Sequence, residues 1–272
     1  MKYDIPLMLS RHCFTPRDVA RAGDLWRAFQ DAALLGSSAV GWPPTRYREE
    51  GIAFIVRTMT AVHLREIRYG EPVKAQTWVS EFRRRIITPR QIVIYASGEP
   101  AVMATQEWVH VKERIKQGQG IAPARASQAL VDSFTAVDEG PVAELPPYEP
   151  VEGPRHSFRF EVWHTAMDPL AHANHPLYLD WCDEATSRVL HAKGLDAQRL
   201  VPVAEFIKWK QAVHAPETLD VRSQLIGQTP SGAAVIQHHI VKATVPEVVA
   251  AEAVAVRELL GEPGLLANQL MR

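Results

Sequence analysis

The chain has only two cysteines in 272 residues, Cys13 and Cys182, far apart and in no CxxC arrangement. That excludes a disulfide framework and a cysteine-based zinc site. It has no charge excess either: 30 Lys and Arg stand against 31 Asp and Glu, a formal net charge of −1. Nothing global directs it to nucleic acid or to a membrane, and neither is expected as a partner. No apolar run is long enough to span a bilayer, and the opening MKYDIPLMLSRHC lacks the apolar core of a signal peptide. A soluble, cytoplasmic protein is the expectation. HExxH is missing as well. The histidines that invite a metal reading, His156, His164, His172, His175 and the pair His238-His239, show no ligand spacing, and neighbouring strand residues point to opposite faces. No metal and no cofactor are expected.

Proline and glycine are concentrated in one place. From Gly118 to Arg155 the chain is rich in Pro, Gly, Ala and acid, including DEGPVAELPPYEPVEGP. Such composition favours extended, exposed backbone. It divides the chain into an N-terminal unit at 1–125, a linker at 126–154 and a C-terminal unit at 155–272.

Each side of the linker repeats one order of signals. In the first half, GDLWRAFQDAALLGSSA places Leu25, Trp26, Phe29, Ala32 and Ala33 at helical spacing. Strand-like runs follow: IAFIVRTMTAVHL, PVKAQTWVSEF, RQIVIYAS and AVMATQEWVHV. In the second half, SFRFEVWH leads into helical HPLYLDWCDEATSRVLHAKG, then VAEFIKWKQAV, TLDVRSQLIG, AAVIQHHIVKA and EVVAAEAVAVREL. LWRAFQDAA lies on LYLDWCDEA at an offset of 152, which pairs His12 with His164. Strand, long helix and four strands, twice, is the order of a tandem (double) hot-dog fold of the α+β class, each curved antiparallel sheet wrapping one helix.

The chemistry gathers in WHTAMDPLAHANHPLYLDWCDEA, residues 163–185. An aspartate, several histidines and an asparagine stand there just before a helix. Aspartate ahead of a helix is often a cap or turn residue, and histidine suits many loops. Tyr178, Trp181 and Trp209 read as core or pocket lining, and Cys182, inside the helix, as an inert thiol. At the offset of 152 the first half has Pro16, Ala20 and Ala22 opposite Asp168, His172 and Asn174, so one site per chain is expected.

These residues carry a resemblance. FIVRTMTAVHLREIRYGEPVKAQTWVSE, EWVHVKERIKQGQGIAP and DPLAHANHPLYLDW are similar to the plant and bacterial acyl-acyl carrier protein thioesterases, nearly end to end. Asp168, His172, Asn174, Tyr178 and Trp181 keep their places in that family's D-x-N-x-H-V-N-N-x-x-Y-x-x-W. Leu170 stands where its catalytic Asn belongs, and WKQAVHA lacks its later Glu-Cys pair. The same stretch resembles the 4-hydroxybenzoyl-CoA thioesterases, whose D-P-x-x-x-x-x-x-P-x-Y-x-x-W carries a lone catalytic aspartate.

The resemblance implies thioester hydrolysis on acyl-carrier protein or acyl-CoA, within fatty acid and lipid metabolism. Asp168 would be base or nucleophile, and the N–H near His175, at the helix start, the oxyanion donor. His172 would orient Asp168 or its water, and Asn174 would hold substrate or the loop. It further implies that the first repeat supplies the acyl pocket, with Met59, Trp78 and Ile94 as candidate lining beside Tyr178 and Trp181. Arg83, Arg84, Arg85 and Arg90 form a basic cluster suited to an acidic carrier or to CoA phosphates. A hot-dog hydratase or dehydratase and a non-catalytic acyl-binding scaffold remain the alternatives, and a homodimer stays open.

Overall fold

A computed structural model describes residues 1–113, 121–244 and 246–271. The basic turn after Trp108-Val109 and the first residues of the linker at Gly118 lie outside the described residues. In the first half, β1 (Tyr3–Leu7) precedes α1 (Ala22–Ala39) and the short α2 (Pro44–Glu49). The strands β2 (Ile52–His63), β3 (Val73–Val79), β4 (Ile87–Ala96) and β5 (Glu99–Glu113) follow. The connection holds β6 (Ile121–Pro123), α3 (Gln128–Ser133) and β7 (Glu149–Pro150). In the second half, β8 (Arg155–Glu161) and α4 (Leu177–Ala192) precede β9 (Leu200–Trp209), β10 (Thr218–Gln228), β11 (Ala234–Lys242) and β12 (Val248–Leu259). A last turn of helix is α5 (Leu265–Leu270).

All twelve strands join one antiparallel sheet, the double hot-dog expected from the order of signals. The first half runs β1-β3-β4-β5-β2, and the second repeats it in mirror order as β9-β12-β11-β10, with β8 beside β10. The halves meet where β2 pairs with β9, from Thr58 opposite Lys208 to Val62 opposite Ala204. The sheet curls around α1 and α4, whose apolar stripes enter one shared core with Met59, Ile92, Ile94, Ile207, Val221 and Ile240. Small side chains on the helices let the sheet come close. A Cβ at Gly36 would sit 2.7 Å from the Thr77 methyl of β3. At Gly23 it would strike the carboxylate of Asp180, where α1 crosses α4.

The true internal offset is 153, one more than the sequence match of LWRAFQDAA on LYLDWCDEA suggests. Thr15 N–H donates to Val19 O as Asp168 N–H does to His172 O, and 168 lies 153 beyond 15. Arg21 N–H donates to Cys13 O as Asn174 N–H does to Ala166 O, again 153 apart. Asp18 and Ala171 occupy the same left-handed position, with φ of 57° and 61°. In the first half Thr15, Val19 and Arg21 therefore stand opposite Asp168, His172 and Asn174, in place of Pro16, Ala20 and Ala22. At these positions the first loop has neither carboxylate nor imidazole.

The connection is less exposed than its composition suggests. Ala126, Leu130 and Ala143 are buried. Val137 N–H donates to Val79 O, and Ala143 N–H to Thr105 Oγ1. Leu130 and Phe134 join Trp42, Ile52 and Phe82 in a small cluster at the C-terminal end of α1. Thus the linker closes one end of the first repeat.

A buried charge network crosses the seam. Glu205 on β9 is fully buried and accepts from His63 Nε2 of β2 at 2.8 Å, from Arg257 Nη1 of β12 at 2.5 Å and from Trp26 Nε1 of α1 at 3.3 Å. Arg257 also grips Asp183 of α4, at 2.9 Å. Burial alone would raise the Glu205 carboxyl, but the cationic partners hold it down to about 2. Removing one partner from such a network costs on the order of 3–5 kcal/mol. Residues 1–125 and 150–272 expressed separately should therefore fail to give soluble, monomeric, cooperatively melting units. Each lacks the seam strand of the other, and Glu205 loses His63 and Trp26. Two independently folded monomeric halves, seen by calorimetry and light scattering, would contradict this account.

Candidate functional site

The loop from Asp168 to Asn174 folds tightly before α4 because its backbone bonds to itself and to the connection between β9 and β10. Asp168 N–H donates to His172 O at 2.9 Å, and Ala171 N–H to Asp168 O at 2.9 Å. Ala173 N–H reaches Val213 O at 2.8 Å. The Ala171 carbonyl accepts from His214 Nδ1 at 2.9 Å. The segment after Trp209 thus lacks a Glu-Cys pair but underpins the loop.

Within this frame Asp168 Oδ1 accepts the N–H of Leu170 at 2.8 Å, and Oδ2 lies 3.5 Å from His172 Nδ1. His172 Nδ1 also lies 3.4 Å from the Ala173 carbonyl. Both neighbours of Nδ1 are acceptors, so the neutral ring carries its proton there and leaves Nε2 with a lone pair. The structure brings Asp168 and His172 together as one pair, both partly open to solvent.

α4 starts at Leu177, with Pro176 at the preceding cap position and already in helical conformation. Leu177 N–H donates to Asn174 O, whereas the His175 N–H has no partner among the described residues. The His175 ring is held between the indoles of Trp108 and Trp209, with centroids 6.2 and 5.4 Å away. Its Nε2 and the Asn174 Oδ1 are buried without a hydrogen-bond partner. Burial drives the His175 pKa down to about 3. The ring is therefore neutral and is no proton donor near neutral pH, which leaves its backbone N–H as the group of interest.

Beside this loop lies a cavity of about 260 Å³. Asp168, Pro169 and Leu170 form one wall and Ala33, Leu34 and Ser37 of α1 another. Trp42, Phe54, Phe82, Trp108 and Phe134 supply aromatic surface, and Thr88 and Arg90 of β4 also line it. The loop comes from the second half and almost all the rest from the first half and the connection.

Met59, Trp78, Tyr178, Trp181 and Ile94 do not line this cavity. Met59 and Ile94 are fully buried in the shared core. Met59 lies behind the wall, its sulfur 3.0 Å from Gln106 Nε2, while Gln106 Oε1 accepts from Trp108 Nε1. Trp78 sits under the connection, where a Cβ at Gly140 would touch its ring and Lys2 lies over it. Alternation explains this, since Thr77 and Val79 take the inner face of β3. Tyr178 and Trp181 pack on each other at 4.7 Å inside the core. The basic cluster also divides: Arg90 is buried, and Arg83 is tied to Glu81 and Glu107. Tyr47, Thr88, Arg90, Trp108 and Phe134 are the lining that the sequence reading missed.

One group of potential metal ligands occurs among the described residues, at His12, Cys13 and Asp24. Asp24 is already matched by Arg21 and Arg27, which leaves its charge compensated.

Comparison with known proteins places this geometry in a fold. No family model and no curated protein sequence matches the chain. Among solved structures, a proposed oleoyl thioesterase from Lactobacillus plantarum superposes with a TM-score of 0.78 at 16% identity, covering 96% of this chain and 98% of that one. An acyl-ACP thioesterase from Bacteroides thetaiotaomicron gives 0.73 at 13% identity, over 95% and 97%. The 12:0-ACP thioesterase from Umbellularia californica gives 0.69 at 12% identity, over 95% and 97%. The chain thus has the complete double hot-dog fold of these proteins, and at such identities the likeness speaks for the fold alone.

The buried neutral imidazoles fix an acid response. His238, fully buried with Nδ1 on Ser223 Oγ, is lowered to about 3 from the ordinary 6.5, as His175 is, in both cases chiefly by burial. An unfolded chain binds these protons near pH 6.5 and the folded one does not, so stability is full above that value and falls as pH drops toward about 3. The melting temperature should decrease from pH 7 to pH 4.5, and His238→Gln should flatten the decrease. An unchanged melting temperature across that range would show that these rings are protonated in the fold.

Proposed function

We propose that the protein is a thioesterase that hydrolyses acyl thioesters, with Asp168 as its essential carboxylate. The observation that carries the reading is Asp168 on the wall of an apolar cavity, paired with His172, in the loop that leads to the His175 N–H, which has no partner among the described residues. Thioester hydrolysis needs a base or nucleophile at the carbonyl carbon, a donor for the oxyanion, and a water-poor place for the acyl group.

In the simplest course, Asp168 takes a proton from water as its oxygen attacks the carbonyl carbon. The carbonyl oxygen, now negative, accepts from the His175 N–H and from the positive end of α4. On collapse the C–S bond breaks, the thiolate leaves with the bond pair, and the proton held at Asp168 passes to sulfur. Alternatively, Asp168 attacks the carbonyl carbon directly, the C–S bond breaks and the thiolate leaves with the bond pair; water then cleaves the anhydride, giving the free acid and the Asp168 carboxylate, and a proton passes to the thiolate. His172 acts through its contact with Asp168, holding the carboxylate in line.

The carrier is acyl-carrier protein, as in the acyl-ACP thioesterases that share the fold, or CoA. Leu170 in place of the asparagine of the resembling family favours the mechanism with a lone carboxylate. With the fold of the loop fixed by backbone bonds, Asp168→Asn should remain folded and lose at least ~100-fold in turnover of acyl-CoA and acyl-carrier protein, the weight of a lost base. His172→Ala should lose less. A folded Asp168→Asn protein with near-normal release of free thiol would overturn the assignment.

Without the buried Arg90, the cluster open to a carrier is Arg84 and Arg85, with Arg83 beside them already paired to Glu81 and Glu107. If they receive it, replacing all three by Ser should raise the Michaelis constant for acyl-carrier protein and flatten its salt dependence, because such attraction is screened within ~8–10 Å. The same acyl group on a short uncharged thiol should turn over unchanged. Identical kinetics on the carrier substrate at low and high salt would point to CoA thioesters or to another docking face.

A further inference from the structure

Arg90 is the anomaly of the cavity. It lies on β4, where Thr88, Arg90, Ile92 and Ile94 share the inward face, and it is only 6% exposed. Its guanidinium bonds to two neutral hydroxyls, Thr77 Oγ1 at 3.2 Å and Ser37 Oγ at 3.1 Å. Among the described residues no carboxylate pairs with it, and burial pulls its pKa down to about 10. The other buried arginine among the described residues, Arg257, has Glu205 and Asp183 as partners. The ring of Phe134 lies 5.8 Å from its guanidinium, and Tyr47 lies close enough to act on its charge.

An uncompensated guanidinium in an apolar surround is costly to hold, because burial disfavours a charge that has no ionic partner. Two of its five donors are used, which leaves a fork able to take a carboxylate in bidentate fashion. Two more polar atoms of the cavity lining, Thr88 Oγ1 and the Tyr47 Oη that lies toward Ser37, are buried with no partner at hydrogen-bond distance among the described residues. A plain hydrocarbon chain would satisfy none of these three groups.

We infer that the acyl group accepted in this cavity carries a carboxylate of its own, bound by Arg90 with Tyr47 and Thr88, so that the substrate is the monothioester of a dicarboxylic acid. This rests on reading the cavity as the acyl site, and adds the chemical class of the acyl group. The aromatic and aliphatic wall would hold the body of the acyl group and Arg90 its acidic end.

The test compares matched pairs: CoA monothioesters of straight dicarboxylic acids with four to ten carbons against the monocarboxylic acyl-CoAs of equal length, and 4-carboxybenzoyl-CoA against benzoyl-CoA. At the best-fitting length or ring, wild type should favour the carboxylated member at least ~10-fold in kcat/KM, as a buried charge-assisted pair implies. Arg90→Met should abolish or reverse that preference while still hydrolysing the plain thioester, and Arg90→Lys should restore part of it. If Arg90→Met does not fold, the wild-type preference decides alone. Equal or poorer hydrolysis of every carboxylated member would overturn the inference and leave thioester hydrolysis standing. If neither series is hydrolysed, titration calorimetry with the same thioesters separates the two readings. Tighter binding of carboxylated members, lost in Arg90→Met, upholds the subsite without the reaction, and equal binding rejects it.

Discussion

The arrangement hangs on one carboxylate that never meets water. Glu205 accepts from a side chain of α1, from one of β2 and from one of β12, and through Arg257 it is joined to α4. With β9, which carries Glu205, those elements are the two central helices and three of the strands at or beside the seam. Neither half can satisfy this group alone, since His63 and Trp26 belong to the first and Arg257 and Asp183 to the second. The seam is thereby fixed in register as well as in place: a shift of β9 against β2 by one residue would turn Glu205 to the opposite face.

The same network explains why the molecule is lopsided. The pseudo-twofold that relates the halves relates the two loops as well, so each has a hollow beside it. The hollow by the first loop, about 730 Å³, is lined by Arg17, Arg21, Arg27, Asp24, Asp180, Asp183 and Arg257. These charges answer one another: Arg17 with Glu66, Arg21 and Arg27 with Asp24, Arg27 with Asp180, Arg257 with Asp183. The hollow by the second loop is aromatic, with Arg90 unanswered. One end of the twofold is given to holding the halves together, and the other is free to take a ligand.

Much of this was legible from the chain. The repeat, the helices and the position of the loop before α4 follow from hydrophobic periods of 3.6 and 2, which local sequence carries openly. The offset was misjudged by one because a Leu followed by an aromatic residue begins both helical segments. Burial corrects it: Leu25, Trp26, Phe29, Ala32 and Ala33 correspond to Tyr178, Leu179, Cys182, Ala185 and Thr186, all buried. The packing of the connection was hidden, since Leu130 and Ala143 are buried by partners distant in sequence. Arg90 was hidden for another reason. Three neighbouring arginines drew it into a surface cluster, although its parity with Ile92 and Ile94 already placed it on the inward face.

The comparison of the two loops bears directly on Asp168. Thr15 Oγ1 accepts the N–H of Arg17 at 3.2 Å, just as Asp168 Oδ1 accepts the N–H of Leu170 at 2.8 Å. The backbone bonds across the two loops also match one for one. A neutral hydroxyl therefore makes this turn as well as a carboxylate does, which fits the ability of Ser, Thr, Asn and Asp alike to cap such turns. The fold of the loop does not need a negative charge at 168. What the charge adds is a carboxylate oxygen, Oδ2, that faces His172 on the wall of an apolar cavity, and that is a chemical property rather than a structural one.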